Sequence, residues 1–174
     1  MNNRFLNFSL VLARLMQLGY ILIGCLFIYM MISSLSEGEI INRFYTNDTD
    51  SLFVELIDPD GVLTNPTSLI LNAIQALLLM ALYITALAFL IKIIKSIKTI
   101  HAFRENTSRH FNTIGHIMLA CFVISSFELT YVDPGFKFTF SLDLTFILLS
   151  FLSYVLAEIF KEGHKLWEEN QLTI

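Results

Sequence analysis

Four long apolar runs leave this chain few places to fold. They are LMQLGYILIGCLFIYMMIS (15–33), LILNAIQALLLMALYITALAFLI (69–91), FNTIGHIMLACFVISSF (111–127) and LDLTFILLSFLSYVLAEIF (142–160). Each reaches or approaches the length that crosses about 30 Å of hydrocarbon. The first holds nine Leu, Ile or Phe among nineteen positions. At roughly −0.3 to −0.6 kcal/mol each, these favour insertion by several kcal/mol. The third is the shortest and the most polar. Charged residues make up 15% of the chain and are clumped between the runs, whereas a soluble domain carries about 25%. The expected fold class is an all-α membrane protein, an antiparallel four-helix transmembrane bundle forming a single domain, 1–174. The expected spans are 8–34, 68–91 continuing as a cytoplasmic helix to 103, 111–131, and 140–160 continuing to 169. An outer loop takes 35–67 and an inner loop 104–110. The first run exceeds the roughly 7–15 apolar residues of a signal peptide, so it reads as a span.

Lys and Arg concentrate on cytoplasmic flanks. Arg4 and Arg14 precede or enter span one, and Arg43 follows it. Lys92, Lys95, Lys98, Arg104 and Arg109 separate spans two and three, Lys137 separates three and four, and Lys161 and Lys165 come last. With both termini in the cytoplasm, nine of the eleven cations lie inside and two outside. The basic run KIIKSIKTIHAFRENTSRHF (92–111) is therefore first an orientation signal. Its few interleaved aromatics and lack of a binding motif speak against direct nucleic-acid contact. Lys92, Lys95 and Lys98 are placed to meet anionic lipid, at about 1 kcal/mol per charge. Ile93, Ile94, Ile97 and Ile100 share one helical face, with the lysines elsewhere on the wheel. Asn106, Thr107 and Ser108 are N-cap candidates for the third helix.

The outer loop sets Glu37, Glu39, Asp48, Asp50, Glu55, Asp58 and Asp60 against Arg43. Its apolar SLFVELI (51–57) and turn-forming DPDG (58–61) read as a lid over the helix ends, with a receptor surface as the alternative. The spacing of its acids is not that of an EF-hand. YVDPGFKFT (131–139) reads as a short turn.

Polar groups within a bilayer are candidates for function. Arg14, Gln17, His116 and Glu158 fall toward the inner ends of their spans. Arg14 and Glu158 either neutralise one another or snorkel separately to the headgroups. His116 either joins them or is structural. Glu128 and Asp143 flank the last turn, as a pair sharing a proton or cation, or as solvated helix-end acids. Cys25 and Cys121 fall in mid-span as small packing residues, and the absence of CxxC disfavours thiol redox chemistry. With a single in-span histidine, bis-imidazole haem is disfavoured, and His101, His110 and His164 are too scattered for zinc. There is no phosphate loop, metalloprotease motif or G-x-S-x-G. The reading is of a protein that is not an enzyme, with no catalytic set, cofactor or metal.

After span four, Glu158–Lys161 and Glu162–Lys165 have the i,i+3 spacing of a helix emerging into water. Phe160, Leu166 and Trp167 are placed to anchor on Ile97 and Ile100, with Glu162, Glu168 and Glu169 toward the basic run. The ending FKEGHKLWEENQLTI resembles the C-terminal signature of a family of small bacterial membrane proteins, the domain of unknown function 2975 family. The matching positions are Gly163, Leu166, Glu168, Glu169, Asn170, Leu172, Thr173 and Ile174, with Gln171 in place of the usual Asp. FRENTSRHFNTIG (103–115) resembles that family's inner connection. The resemblance covers all four spans and is specific in these two segments. It implies no established activity. Members are often encoded beside a small helix-turn-helix regulator, which implies membrane-linked regulation.

The leading expectation is a non-enzymatic regulator or adaptor of the bacterial inner membrane that docks a cytoplasmic protein. Docking would use Lys95, Lys98, Arg104, Arg109, Gly163, Leu166, Trp167, Glu168, Glu169 and Asn170. The rival is a small transporter or channel, homo-oligomeric because four helices leave little room for a pore. It would use Arg14, Gln17, His116 and Glu158, or Glu128 and Asp143.

Overall fold

A computed structural model describes residues 3–37, 66–98, 105–132 and 135–172. Four helices carry the fold: α1 (Asn3–Glu37), α2 (Pro66–Lys98), α3 (Glu105–Ser126) and α4 (Leu144–Leu172). A hairpin of β1 (Phe127–Val132) and β2 (Gly135–Phe140) joins α3 to α4. The outer lid, Arg104 and the last two residues lie outside the described residues.

Three helices are long and apolar enough to cross a membrane: Arg4–Tyr29 of α1, Ile70–Lys98 of α2 and Leu144–Asn170 of α4. These mark a membrane protein. α3 falls short of that apolarity because Thr107, Ser108, Arg109, His110, Asn112, Thr113 and His116 crowd the part that runs from Glu105 to His116.

Extensive packing runs between chain neighbours: α1 on α2, α2 on α3, α3 on α4. Each pair is antiparallel, because contact positions on one helix climb as those on the other fall. Tyr20 stacks on Tyr83, with ring centroids 5.7 Å apart, while Gly24 faces Met80. Gln75 reaches Ile124 while Ser96 meets Thr107. Ser108 bonds to Ala157, and Ser150 to Gly115. The shared core between α2, α3 and α4 is Ala86, Ile117, Met118 and Cys121, ringed by Leu79, Leu82, Tyr83, Phe89, Ile114 and Phe146.

The hairpin corrects the expectation of a simple turn. The sequence predicts span three to 131 and span four from 140, but α3 stops at Ser126 and α4 starts at Leu144. From Phe127 the apolar positions recur every second residue, at 127 and 129 and again at 136, 138 and 140, which is the period of a strand. The hydroxyls of Ser125 and Ser126 also turn back to the Phe122 carbonyl, at 3.1 and 2.7 Å, at the end of the helix. The Ser141 amide then donates to the Ser126 carbonyl at 3.0 Å and extends the ladder by one pair.

Two smaller expectations also shift. α3 begins at Glu105, so Thr107 and Ser108 sit inside its first turn and spend their hydroxyls on α2 and α4 rather than on a cap. Cys121 is fully buried, as a packing residue should be, but Cys25 is exposed on α1.

Candidate functional site

The polar surface of the α3–α4 seam gathers where the two helices meet at the end nearest the α2–α3 connection. There α3 presents Ser108 and Asn112, and α4 presents Tyr154, Ala157, Lys161 and His164. On α4 these lie 3, 4 and 3 residues apart, with Ser150 four residues earlier, so they form one stripe on a helix. On α3, Ser108, Asn112 and Gly115 repeat the pattern. Small or hydroxyl side chains along such a stripe let two helices approach closely. The approach is close at Gly115: an added Cβ would lie 2.7 Å from Tyr154 Cε1.

Two hydroxyls clamp the seam. Ser108 Oγ donates to the Ala157 carbonyl at 2.7 Å and Ser150 Oγ to the Gly115 carbonyl at 2.9 Å, both buried. Further along, Phe111 stacks on Phe160 at 5.2 Å. Together with Arg109 and Glu158, the stripe lines an open cavity of ≈ 470 Å³.

Of the four residues expected to form an intramembrane cluster, only Glu158 lines this cavity. Both its carboxylate oxygens accept from Lys161 Nζ, at 3.0 and 3.3 Å. The pair is about 60% exposed on each side (63% and 62%), so it contributes little to stability. Among the described residues no ion pair joins Glu158 to Arg14, which is exposed on α1, a helix that docks on α2. Gln17 is half-buried on α1. His116 is exposed on α3, where its Nδ1 lies 2.8 Å from the Asn112 carbonyl. A carbonyl only accepts, so that nitrogen carries the proton. The ring then meets Tyr154 edge-on at 5.4 Å.

The two acids expected on the outer side stand on different elements. Glu128 stands opposite Thr139 in the hairpin. Asp143 precedes α4, where its Oδ1 accepts from the Thr145 amide at 3.0 Å. The Thr145 hydroxyl and amide together hold this carboxyl below its ordinary value.

On the expected docking face, Lys92, Lys95 and Lys98 are exposed while Ile91 and Ile93 are buried, as the helical period requires. Lys92 Nζ lies 4.8 Å over the Phe89 ring, which in turn meets His110. Phe160 stacks on Phe111 of α3, along which α4 packs, and Ile100 lies outside the described residues. Leu166 and Trp167 stay 60% and 48% exposed. His164 stacks on Trp167, its Nε2 is 3.3 Å from Glu168 Oε1, and its Nδ1 is buried with no partner among the described residues. Gly163 is half-buried, while Glu169 and Asn170 are exposed.

Asn112 and Tyr154 were not singled out in the sequence. The repeating three- and four-residue spacing of small and polar positions on both helices is the signal that finds them. Chemically the cavity holds one carboxylate, one guanidinium, one ammonium and one imidazole. Its serine has already committed its proton to a carbonyl. No group of three metal-ligating side chains occurs among the described residues. The arrangement suits holding a polar or charged group more than transforming one.

The sequence matches the family described as "Protein of unknown function (DUF2975)" over residues 45–174. No curated protein and no solved structure matches the chain.

Proposed function

We propose that this chain, which belongs to the DUF2975 family of proteins of unknown function, is a non-enzymatic multi-pass regulator or adaptor of the bacterial inner membrane. It crosses the bilayer four times as an antiparallel bundle and keeps both termini in the cytoplasm. The charge asymmetry supports this orientation, with nine cations bordering one side and two the other. The order of packing supports the fourth crossing. α2 and α4 are both antiparallel to α3, so α3 must return the chain between the levels that they connect. Its 22 residues extend about 33 Å, close to the thickness of the hydrocarbon.

The cytoplasmic partner docks on the inner end of α4 together with the basic end of α2 and the start of α3. By the family resemblance it is a helix-turn-helix regulator. The observation that carries this reading is the overhang of α4. The helix has 29 residues, about 43 Å, so a bilayer of about 30 Å leaves its last two turns outside. That overhang carries Leu166 and Trp167 largely exposed amid charge. Exposed aromatic and aliphatic side chains rimmed by polar groups fit a protein interface. The transport alternative needs a polar route. The space between α2, α3 and α4 is instead filled by Ala86, Ile117, Met118 and Cys121.

Affinity capture from native membranes tests the proposal. The intact chain should retain a cytoplasmic protein, and the Leu166→Ala, Trp167→Ala double variant should lose most of it. Retention of every cytoplasmic partner after deletion of 162–174 overturns the reading.

A further inference from the structure

The hairpin between α3 and α4 has two unlike faces. Opposed residues in an antiparallel pair share a face, so Phe127 and Phe140 stand together, as do Leu129 and Phe138, with Phe136 in line. Glu128, Thr139 and Lys137 take the other face. The apolar face is open: Phe136, Phe138 and Phe140 are 64%, 60% and 55% exposed. The Phe127 ring contacts those of Phe138 and Phe140 at 5.6 and 5.4 Å, so the face is one continuous plate.

Its position says what covers that plate. Gln75 lies inside the apolar run of α2 that starts at Leu69, and its Nε2 donates to the Ile124 and Phe127 carbonyls at 2.8 and 2.9 Å. β1 packs along α2 from there. Phe127 therefore sits at the depth of Gln75, about 9 Å inward of Leu69 at 1.5 Å per residue. The hairpin starts within the apolar zone and runs outward through its boundary. A two-stranded sheet also has two open edges, which hydrocarbon does not tolerate but headgroups and their water satisfy. Aromatic side chains concentrate at that same boundary.

We propose that the apolar face of this hairpin is a lipid-binding surface, seated at the headgroup–acyl boundary of the leaflet opposite the α2–α3 connection. Its partner is the glycerol end of phospholipid acyl chains, and its polar face with Glu128 and Lys137 looks to water. The surface depends only on the helices spanning the bilayer. It is independent of any cytoplasmic partner and of which side is inside.

The test uses the full chain with Trp167→Phe, which removes the sole tryptophan. Phe138→Trp and Phe140→Trp report the apolar face and Lys137→Trp the polar face, in phosphatidylcholine vesicles whose acyl chains carry bromine near the glycerol end. The apolar-face variants should emit at shorter wavelength and be quenched about twofold or more beyond the Lys137→Trp variant. Equal quenching on both faces overturns the proposal. So does water-like emission from the apolar-face variants. Short-wavelength emission without quenching overturns it too, because protein (the 38–65 segment or a second copy) then covers the plate. Two apolar-face reporters keep the result decisive if one of them fails to fold.

Discussion

α1 and α3 reverse the usual relation between hydrophobicity and burial. α1 is apolar enough to cross a bilayer, yet among its described side chains only Ala13 is buried, and Leu15, Leu18, Leu22, Ile23 and Leu26 stand exposed. α3 is too polar to count as a span by composition, yet it buries Thr107, Ser108, Gly115, Ile117, Met118, Cys121 and Ser126. In water this would be a paradox. In a bilayer, lipid tails are as apolar as leucine, so little is gained by packing leucine against leucine. In this pair the apolar helix is the one that meets lipid, while α3, held between α2 and α4, spends surface on small side chains and hydroxyls. The family match is consistent with this division, because it begins at residue 45 and covers α2 to α4 without α1.

The sharpest way to break the comparison is one substitution made on both helices. At Gly115 a new Cβ would press on three ring atoms of Tyr154, the nearest at 2.7 Å, and that ring already rests against His116. Gly115→Leu should cost at least the ~1–3 kcal/mol of an overpacked core, read as a loss of thermal stability in detergent. Adding Tyr154→Ala should restore part of it. At Gly19 nothing lies within 4 Å of the added atom, so Gly19→Leu should leave stability unchanged or raised. Equal losses at the two glycines would mean that α1 is packed as tightly as α3.

Gln75→Leu comes next. It removes both hydrogen bonds that hold the end of α3 and the start of the hairpin to α2. The expected cost is about 1 kcal/mol, toward the upper part of the range for side-chain bonds in membranes. Faster proteolysis within 127–140 should accompany it. Ser108→Ala and Ser150→Ala, which each remove one clamp of the seam, should cost about 0.6 kcal/mol apiece. Asp143→Ala should have a smaller effect, and one that depends on pH. Its carboxyl is held low by Thr145, so the native contribution is complete above the ordinary value of 3.8. It is lost as pH falls below that value through the depressed one. The variant's deficit should therefore vanish in acid, which a thermal scan against pH would show.

Much of this contrast could be read from the chain itself. α1, α2 and α4 are apolar over lengths that only a bilayer uses. The lysines of α2 fall opposite Ile93 because 3.6-residue periodicity forces them there. The Lys161–Glu158 contact follows from i,i+3 spacing alone. The hairpin was hidden because its phenylalanines raise hydropathy as a helix would, and only their alternation distinguishes a strand. Whether Arg14 meets Glu158 or each snorkels on its own depends on which helices touch, and no local pattern encodes that. Matching depth alone does not bring two residues together, and packing in chain order leaves α1 on α2 and α4 on α3. The clamps at Ser108 and Ser150 escaped for a related reason. A serine in an apolar run looks like a weak point for insertion until its partner helix is known.

The smallest expected effect carries the most information about α1. Leu22 is 64% exposed and one of six residues lining an open apolar concavity on the outer surface of that helix. If lipid alone fills that concavity, Leu22→Ala exchanges one lipid contact for another and keeps a strong helix former. The change should then fall within about 0.5 kcal/mol of zero. Cys25, in the same concavity, should react with a membrane-permeant maleimide while the buried Cys121 stays protected in the folded chain. A cost of about 2 kcal/mol or more, in the range of a cavity left in a packed core, would instead mean that protein covers this face. Loss of a higher-order species on mild detergent gels would identify that protein as a second copy, and α1 would then differ from α3 only in finding its partner outside its own chain.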